Sequence, residues 1–173
     1  MIEINITNEI IIETIELKTH QKEVQALFEA SSEFILLTEG KIPSNDAAVE
    51  YFSDFPPSKT IDDKVCLGIF NQNNHLIGIV DLIYNYPDEN VCFVGLFLIH
   101  PDFRSEKVGK TVFSRIEKHI KNEGFNEIRL AVVKENIKGY QFWKKINYID
   151  LMKQPYQVAD RTTEILVMNK KLD

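Results

Sequence analysis

The run Val91-Cys92-Phe93-Val94-Gly95-Leu96-Phe97-Leu98-Ile99 constrains the fold more than any other stretch of the chain. It carries no charge and no polar alternation, so it reads as a strand covered on both faces, of the kind found at the centre of a sheet with helices on each side. His100-Pro101-Asp102 ends it, because proline brings no amide donor. Val108, Val112, Ile116 and Ile120 then recur at four-residue spacing with Phe113 beside them. That spacing predicts a helix over about Val108 to Glu123 with one buried face, and Gly124 is placed to stop it. Glu127 to Val133 reads as the following strand, with Ile128, Leu130 and Val132 on one face. A strand–helix–strand unit of this length is expected to be parallel and right-handed.

The flanking segments complete a mixed α/β pattern. Ile10 to Leu17 is rich in β-branched residues and reads as a first strand. Thr19 is placed to cap a helix reaching about Ala30 with Val24, Leu27 and Phe28 inward. A loop is expected over Thr38 to Pro43. Ser44 is placed to cap a second helix that carries Ala47, Ala48, Tyr51 and Phe52, and Phe55-Pro56-Pro57 ends it. Val65 to Phe70 and Leu76 to Tyr84 form a hairpin around the polar turn 71–75, and a second turn at Pro87 to Asn90 leads into the central strand. A short helix is expected over Ile137 to Lys145, ended by Asn147 in the left-handed conformation. Tyr148 to Lys153 and Thr163 to Asn169 read as the last strands. The expectation is one domain over residues 1–173, with a central mixed sheet of about six to seven strands flanked by helices.

Length and charge narrow the function. A chain of 173 residues buries a core without disulfides or metals. The net charge of -6 argues against a general nucleic-acid binder, which needs surplus Lys and Arg to meet phosphates. Cys66 and Cys92 sit in apolar runs and read as buried hydrophobes; no Cys/His spacing suits a metal. No apolar run is long enough to span a bilayer, and Met1 to Asn8 is too polar for a signal sequence. A cytoplasmic location without membrane partners is the resulting expectation.

The chemistry concentrates where the central strand turns into the helix. A loop that runs into a helix N-terminus offers free amides and the positive end of a dipole, a ready place for phosphate. Arg104, Lys107 and Lys110 add charge there, and Gly109 permits close approach. A solvated basic turn without a ligand fits the spacing equally well. The segment His100-Pro101-Asp102-Phe103-Arg104-Ser105-Glu106-Lys107-Val108-Gly109-Lys110 also resembles motif A of the GNAT superfamily of N-acetyltransferases, with Arg104 and Gly109 matching and Lys107 where a glycine is expected. Downstream, Asn136 to Tyr148 looks like the family's motif B, and the element order resembles the family over nearly the whole chain.

That resemblance implies an acetyl-CoA-dependent N-acetyltransferase acting on a primary amine of a small molecule or peptide by direct attack in a ternary complex. It implies that the strand Val91–Ile99 splays from Glu127–Val133, with Gly95 as a bulge site. The donor's pantetheine arm would lie along the peptides of Phe97, Leu98 and Ile99, and its pyrophosphate on Arg104, Ser105, Glu106, Lys107, Val108, Gly109 and Lys110. Asn136 would bond the pantetheine arm. Many relatives place an acidic tyrosine where this chain has Trp143, whose indole is no acid. Trp143 is therefore expected to close the cleft by packing. Lys107, in a place where glycine relieves strain, and Trp143 also suit the alternative of a catalytically weak CoA-binding or regulatory module. Tyr140 and Asp81 are the catalytic candidates that remain, with Glu33, Glu39 and Asp54 in segments that could border the acceptor. His100 reads as a turn residue. Tyr84-Asn85-Tyr86-Pro87 reads either as an aromatic acceptor wall or as an exposed turn, and Phe34 to Leu37 as acceptor wall, homodimer surface or core.

Overall fold

The computed structural model describes residues 3–5, 10–104 and 106–172. Ser105 lies outside the described residues, as does most of the segment Met1 to Asn8. The strands are β1 (Glu3–Asn5), β2 (Ile10–Thr14), β3 (Lys64–Asn71), β4 (Leu76–Tyr84), β5 (Val91–Ile99), β6 (Glu127–Val133), β7 (Ile149–Val158) and β8 (Arg161–Lys171). The helices are α1 (Leu17–Ala30), α2 (Ser32–Glu39), α3 (Ala47–Ser53), α4 (Glu106–Asn122) and α5 (Ile137–Lys145). One sheet runs in the order β1-β2-β3-β4-β5-β6-β8-β7. Every neighbouring pair is antiparallel except β5 and β6, which are parallel and joined through α4. The sheet is therefore mixed and α/β, as the segment order implied.

The sheet divides the apolar residues into two layers. On one face β-strand residues pack with Val112, Phe113, Ile116 and Ile120 of α4 and Trp143 of α5. The four α4 residues are fully buried, each worth about 1.5–3 kcal/mol of transfer free energy. On the other face Val24, Leu27 and Phe28 of α1 pack with Ile35, Tyr51 and Phe52 against Cys66, Ile79 and Leu98. β5 supplies both layers, which explains its unbroken apolar sequence.

Several boundaries differ from the sequence expectation for local reasons. α1 begins at Leu17, because the Glu16 carbonyl already accepts from the His20 amide at 2.9 Å, so Thr19 lies inside the helix rather than capping it. β2 therefore stops at Thr14. The stretch expected to be a loop from Thr38 instead continues α2 to Glu39, and Gly40 ends it with φ 75°. Ser44 accepts from the Asp46 amide at 3.2 Å, three residues ahead of α3, so it shapes the approach and Asp46 takes the cap position. β7 and β8 extend well past their expected ends into a long hairpin. Pro155 is tolerated inside β7 because β7 is the sheet's edge strand, where a missing amide breaks no ladder. Gly124 and Asn147 adopt φ 95° and 72°, the left-handed stops expected of them.

Candidate active site

The site begins with one extra residue. Asp81 pairs with Leu96 and Leu82 with Val94, so Gly95 is skipped and bulges from β5. A bulge bends its strand. β5 accordingly stays in register with β6 only from Val91↔Glu127 to Val94↔Leu130. From Gly95 onward the two strands part, and the gap is a cleft of about 620 Å³. Val94 to Ile99 form one wall, and Leu130 to Val132 with Phe142 and Trp143 form the other. Gly109 of α4 and Glu33, Phe34 and Leu37 of α2 close its ends.

Peptides on the open edge of β5 face this cleft, and the ladder determines which. The His100 amide donates to Ile77 O at 2.8 Å, and Leu98 O lies towards Gly78 of β4. Alternation then turns the peptides of Phe97 and Ile99 towards the cleft and that of Leu98 towards β4. Of the three residues expected to offer peptides, Leu98 thus gives its main-chain groups to the sheet and its side chain to the core beneath α1. The Ile99 carbonyl is already engaged by Arg104 Nε at 2.8 Å. Phe97 N–H and C=O and Ile99 N–H are left as the cleft's main-chain groups.

The helix that faces the open end starts earlier than its periodicity suggested. α4 begins at Glu106, so Glu106, Lys107, Val108, Gly109 and Lys110 are helical rather than loop. The first four amides of a helix have no partner within it, and here they belong to the segment expected to receive the pyrophosphate. Lys107 does not have positive φ, so the strain expected of a non-glycine residue there is absent. Lys107 and Lys110 are exposed at this end. Gly109 has a second role: a Cβ there would meet the Phe142 ring at 3.0 Å, so glycine also lets α4 pack against α5. Arg104 lies on the cleft rim, with its Nη2 donating to Ser31 Oγ at 3.4 Å. Burial pulls its pKa down and Glu33 opposes that.

Asn136 lines the cleft and caps α5, its Oδ1 accepting from the Gly139 amide at 3.0 Å. Trp143 is 7% exposed and sits edge-on to Phe113 at 4.7 Å, Phe142 at 5.0 Å and Tyr148 at 5.1 Å. Phe97 completes the aromatic floor, 5.2 Å from Phe113 and 5.9 Å from Trp143. Tyr140 is not among the residues that line the cleft; its hydroxyl donates to Asp150 Oδ2 at 3.2 Å, beside a smaller pocket between α5 and β8.

Asp81 of β4 pairs with Leu96 beside the bulge and, like Tyr140, is not among the residues that line the cleft, although it touches the Gly95 wall from behind. A Cβ on Gly95 would stand 2.7 Å from Asp81 Oδ2, so the carboxylate fills the space that a side chain at 95 would occupy. Burial pushes its pKa up to about 6, against the pull of Lys64, whose Nζ is 2.7 Å from Oδ2. Asp81 Oδ1 is buried with no hydrogen-bond partner. Lys64 escaped the sequence reading, although a lysine opening the apolar strand before Val65 and a lone aspartate inside the run 76–84 were the available signal.

The other candidates separate. Glu33 lines the cleft; Glu39 is drawn upward in pKa by burial, with Glu50 and Asp54 adding to the rise. Phe34 and Leu37 line the cleft, Ile35 is core and Leu36 is exposed. Tyr84 packs on Phe125 at 4.6 Å and Tyr86 on Phe93 at 5.4 Å, at the end of β5 remote from the cleft, which removes them as an acceptor wall. His100 Nδ1 accepts from the Asp102 amide at 3.3 Å, a turn residue as read. Cys66 and Cys92 are free and buried, and burial pushes the Cys66 thiol up to about 12. No group of metal-binding side chains occurs among the described residues, and none of their helices is long and apolar enough to cross a membrane.

Known structures share this architecture. A spermidine N-acetyltransferase from Vibrio cholerae, in complex with CoA and spermine, superposes with a TM-score of 0.75 at 16% identity over 95% of this chain and 96% of that one. An acetyl transferase from Salmonella typhimurium that modifies the N-terminal serine of a 50S ribosomal subunit protein gives 0.81 at 9% identity over 99% of both chains. An acetyltransferase from Thermus thermophilus gives 0.73 at 15% identity over 98% and 100%. Among curated protein sequences none matches this chain. The profile of the acetyltransferase (GNAT) family matches residues 24–148, which contain the bulged β5, the start of α4 and the Asn136 cap, and the chain belongs to that family.

Proposed function

We propose that this chain, working as one domain, is an acetyl-CoA-dependent N-acetyltransferase that acylates a primary amine of a small molecule or peptide by direct attack in a ternary complex. The observation that carries the reading is the parting of β5 from β6 at Gly95 directly in front of the α4 N-terminus. The residues present suit the donor. Phe97 and Ile99 offer main-chain groups to an amide-bearing arm, Asn136 stands opposite on the cleft lining, and the amides of α4 with Lys107 and Lys110 suit a pyrophosphate. The relative from Vibrio cholerae was solved with CoA and an amine, which supports the same pairing of ligands here.

In this reading acetyl-CoA supplies the activated acyl group and the protein supplies position and proton transfer. Asp81 takes a proton from the acceptor ammonium, since a base with a pKa near working pH transfers protons best. The freed lone pair forms the C–N bond, the C–S bond breaks, and the thiolate departs with the electron pair. The Ile99 or Phe97 amide steadies the oxyanion in between. A free thiol has a pKa near about 8.5, so its anion leaves without a tyrosine acid. It then accepts the second nitrogen proton, and Asp81 returns its own to water. Trp143 and Phe97 hold the thioester end by packing.

The test is calorimetry followed by thiol release. A ligand that binds only the folded state adds about 2.7 kcal/mol at a hundredfold over its dissociation constant. Saturating acetyl-CoA is expected to raise the melting temperature, and a panel of ethanolamine, putrescine, spermine and Ser- and Ala-initiated dipeptides to release CoA thiol. No thermal shift refutes the donor. A shift without thiol release from any amine supports instead the non-catalytic CoA-binding module that the indole at 143 would suit.

A further inference from the structure

We infer that Lys64 is a positioning residue for acyl transfer, holding Asp81 Oδ2 at the Gly95 bulge so that the carboxylate is kept in place and ionised for the incoming amine. The inference rests on the reading of Asp81 as the base. Lys64 is the first residue of β3, and its side chain is 1% exposed. Its ammonium has a partner for each proton: Asp81 Oδ2 at 2.7 Å, Asp54 O at 2.7 Å, and the face of the Tyr51 ring at 5.3 Å. Tyr51 is itself fixed, its hydroxyl donating to Val80 O at 3.1 Å. The clamp therefore reaches β3, β4 and the end of α3 at once.

What it holds is half satisfied. Oδ2 is bound by Lys64 and shielded at Gly95, while Oδ1 is buried without a partner. A buried carboxylate oxygen normally has a donor, and one without is the mark of a place for something else. An ion pair that served only the fold would be expected to engage both oxygens. Oδ2 itself lies against Gly95, a residue of the cleft wall. The carboxylate, with one oxygen on Lys64 and the other without a donor, keeps capacity to take a proton from an ammonium, and a residue larger than glycine at 95 would collide with Oδ2.

The groups that face Asp81 are few. Lys64 and Cys66 approach from β3, Tyr51 and Asp54 from α3 and the residue after it, and Cys92 from β5. Burial keeps the phenol and both thiols neutral near pH 7. Lys64 is the cation that opposes the burial of Asp81, and Asp54 works against it.

The experiment is a carboxyl 13C titration of Asp81 in the whole protein, alongside kcat/KM against pH with acetyl-CoA and the most reactive amine of the panel above. In Lys64→Met the Asp81 midpoint is expected to rise from about 6 by at least one pH unit. The acidic limb of kcat/KM should move with it, while the acetyl-CoA dissociation constant changes less than twofold. Lys64→Gln keeps a donor without the charge; it should shift the limb similarly, and it serves if the methionine variant does not fold. Lys64→Met with Asp81→Asn should be no slower than Asp81→Asn alone. A merely structural lysine would lower activity equally at every pH with the Asp81 midpoint unmoved, and that result overturns the inference. Full activity in Asp81→Asn with the midpoint shift still present would sink the base assignment instead and leave Lys64 as a charge clamp without a catalytic task.

Discussion

Trp143 shows how a single side chain changes the account of the site. Its ring is wedged among Phe97, Phe113, Phe142 and Tyr148, so it shapes the cleft floor and offers no titratable proton. Trp143→Phe keeps an aromatic plug and is expected to lower turnover by less than about tenfold, or 1.4 kcal/mol in the barrier. Tyr140→Phe should cost less still, because the hydroxyl is spent on Asp150 outside the cleft. Turnover of both variants across pH checks this; a hundredfold drop with loss of the high-pH limb in Tyr140→Phe would make Tyr140 the acid. The neighbourhood of these residues was partly legible. A motif can place Trp143 in the right helix, but which face of that helix carries Tyr140 depends on Asp150, ten residues away on β7.

At the level of elements, the start of α4 and the tip of the β7–β8 hairpin bear on the two ends of the cleft. Gly109→Asp places a carboxylate near the start of α4, where like charge would oppose a pyrophosphate. CoA affinity should fall at least tenfold by calorimetry while the circular-dichroism spectrum is kept. A side chain there also meets Phe142, so some loss of melting temperature is expected with it. The hairpin tip docks on the end of α2, where a Cβ at Gly40 would meet Ala159 Cβ and Val158 Cγ1, each at 2.9 Å. Gly40 also has φ 75°. Gly40→Ala should therefore destabilise by about 1–2 kcal/mol, a few degrees of melting temperature for a chain of this size. An unchanged melting temperature would show that the tip does not rest on α2. The strands and helices themselves were legible because their periodicities are local. The hairpin's length was not, because Pro155 is acceptable only once β7 is known to be the edge.

Across the whole molecule, two buried carboxylates make stability depend on pH in opposite directions. Burial pushes Glu127 upward, but hydrogen bonds from Arg129, Lys171 and Asn169 outweigh it and hold its pKa at about 2. A folded-state pKa below the unfolded value stabilises above the ordinary carboxylate range, and that contribution is lost as pH falls through about 2. Asp81 has the reverse sign: its contribution is present at low pH and is lost as pH rises through about 6. Melting temperatures from pH 2 to 7 should show a steeper acid decline in the wild type than in Glu127→Gln. Asp81→Asn should remove the component that weakens the fold between about pH 4 and 6. Parallel curves for all three proteins would mean that neither carboxylate governs the acid response.

What the sequence alone determined is everything written in short-range pattern. The central strand, the four-residue repeat of α4, the left-handed stops at Gly124 and Asn147 and the motif around Arg104 and Gly109 all follow from residues within a turn or two of each other. Gly95 as the bulge site came with the family resemblance and not with the strand's own pattern, since Gly68 also sits in an apolar strand and stays in register. Only the tertiary structure decided that α4 starts at Glu106, that Leu98 turns its peptide away from the cleft, and that Lys64 meets Asp81. Those outcomes depend on strand register and on which face each strand turns towards its neighbour. Such quantities join residues far apart in the chain, and a one-residue bulge resets them without leaving a periodic trace in the sequence.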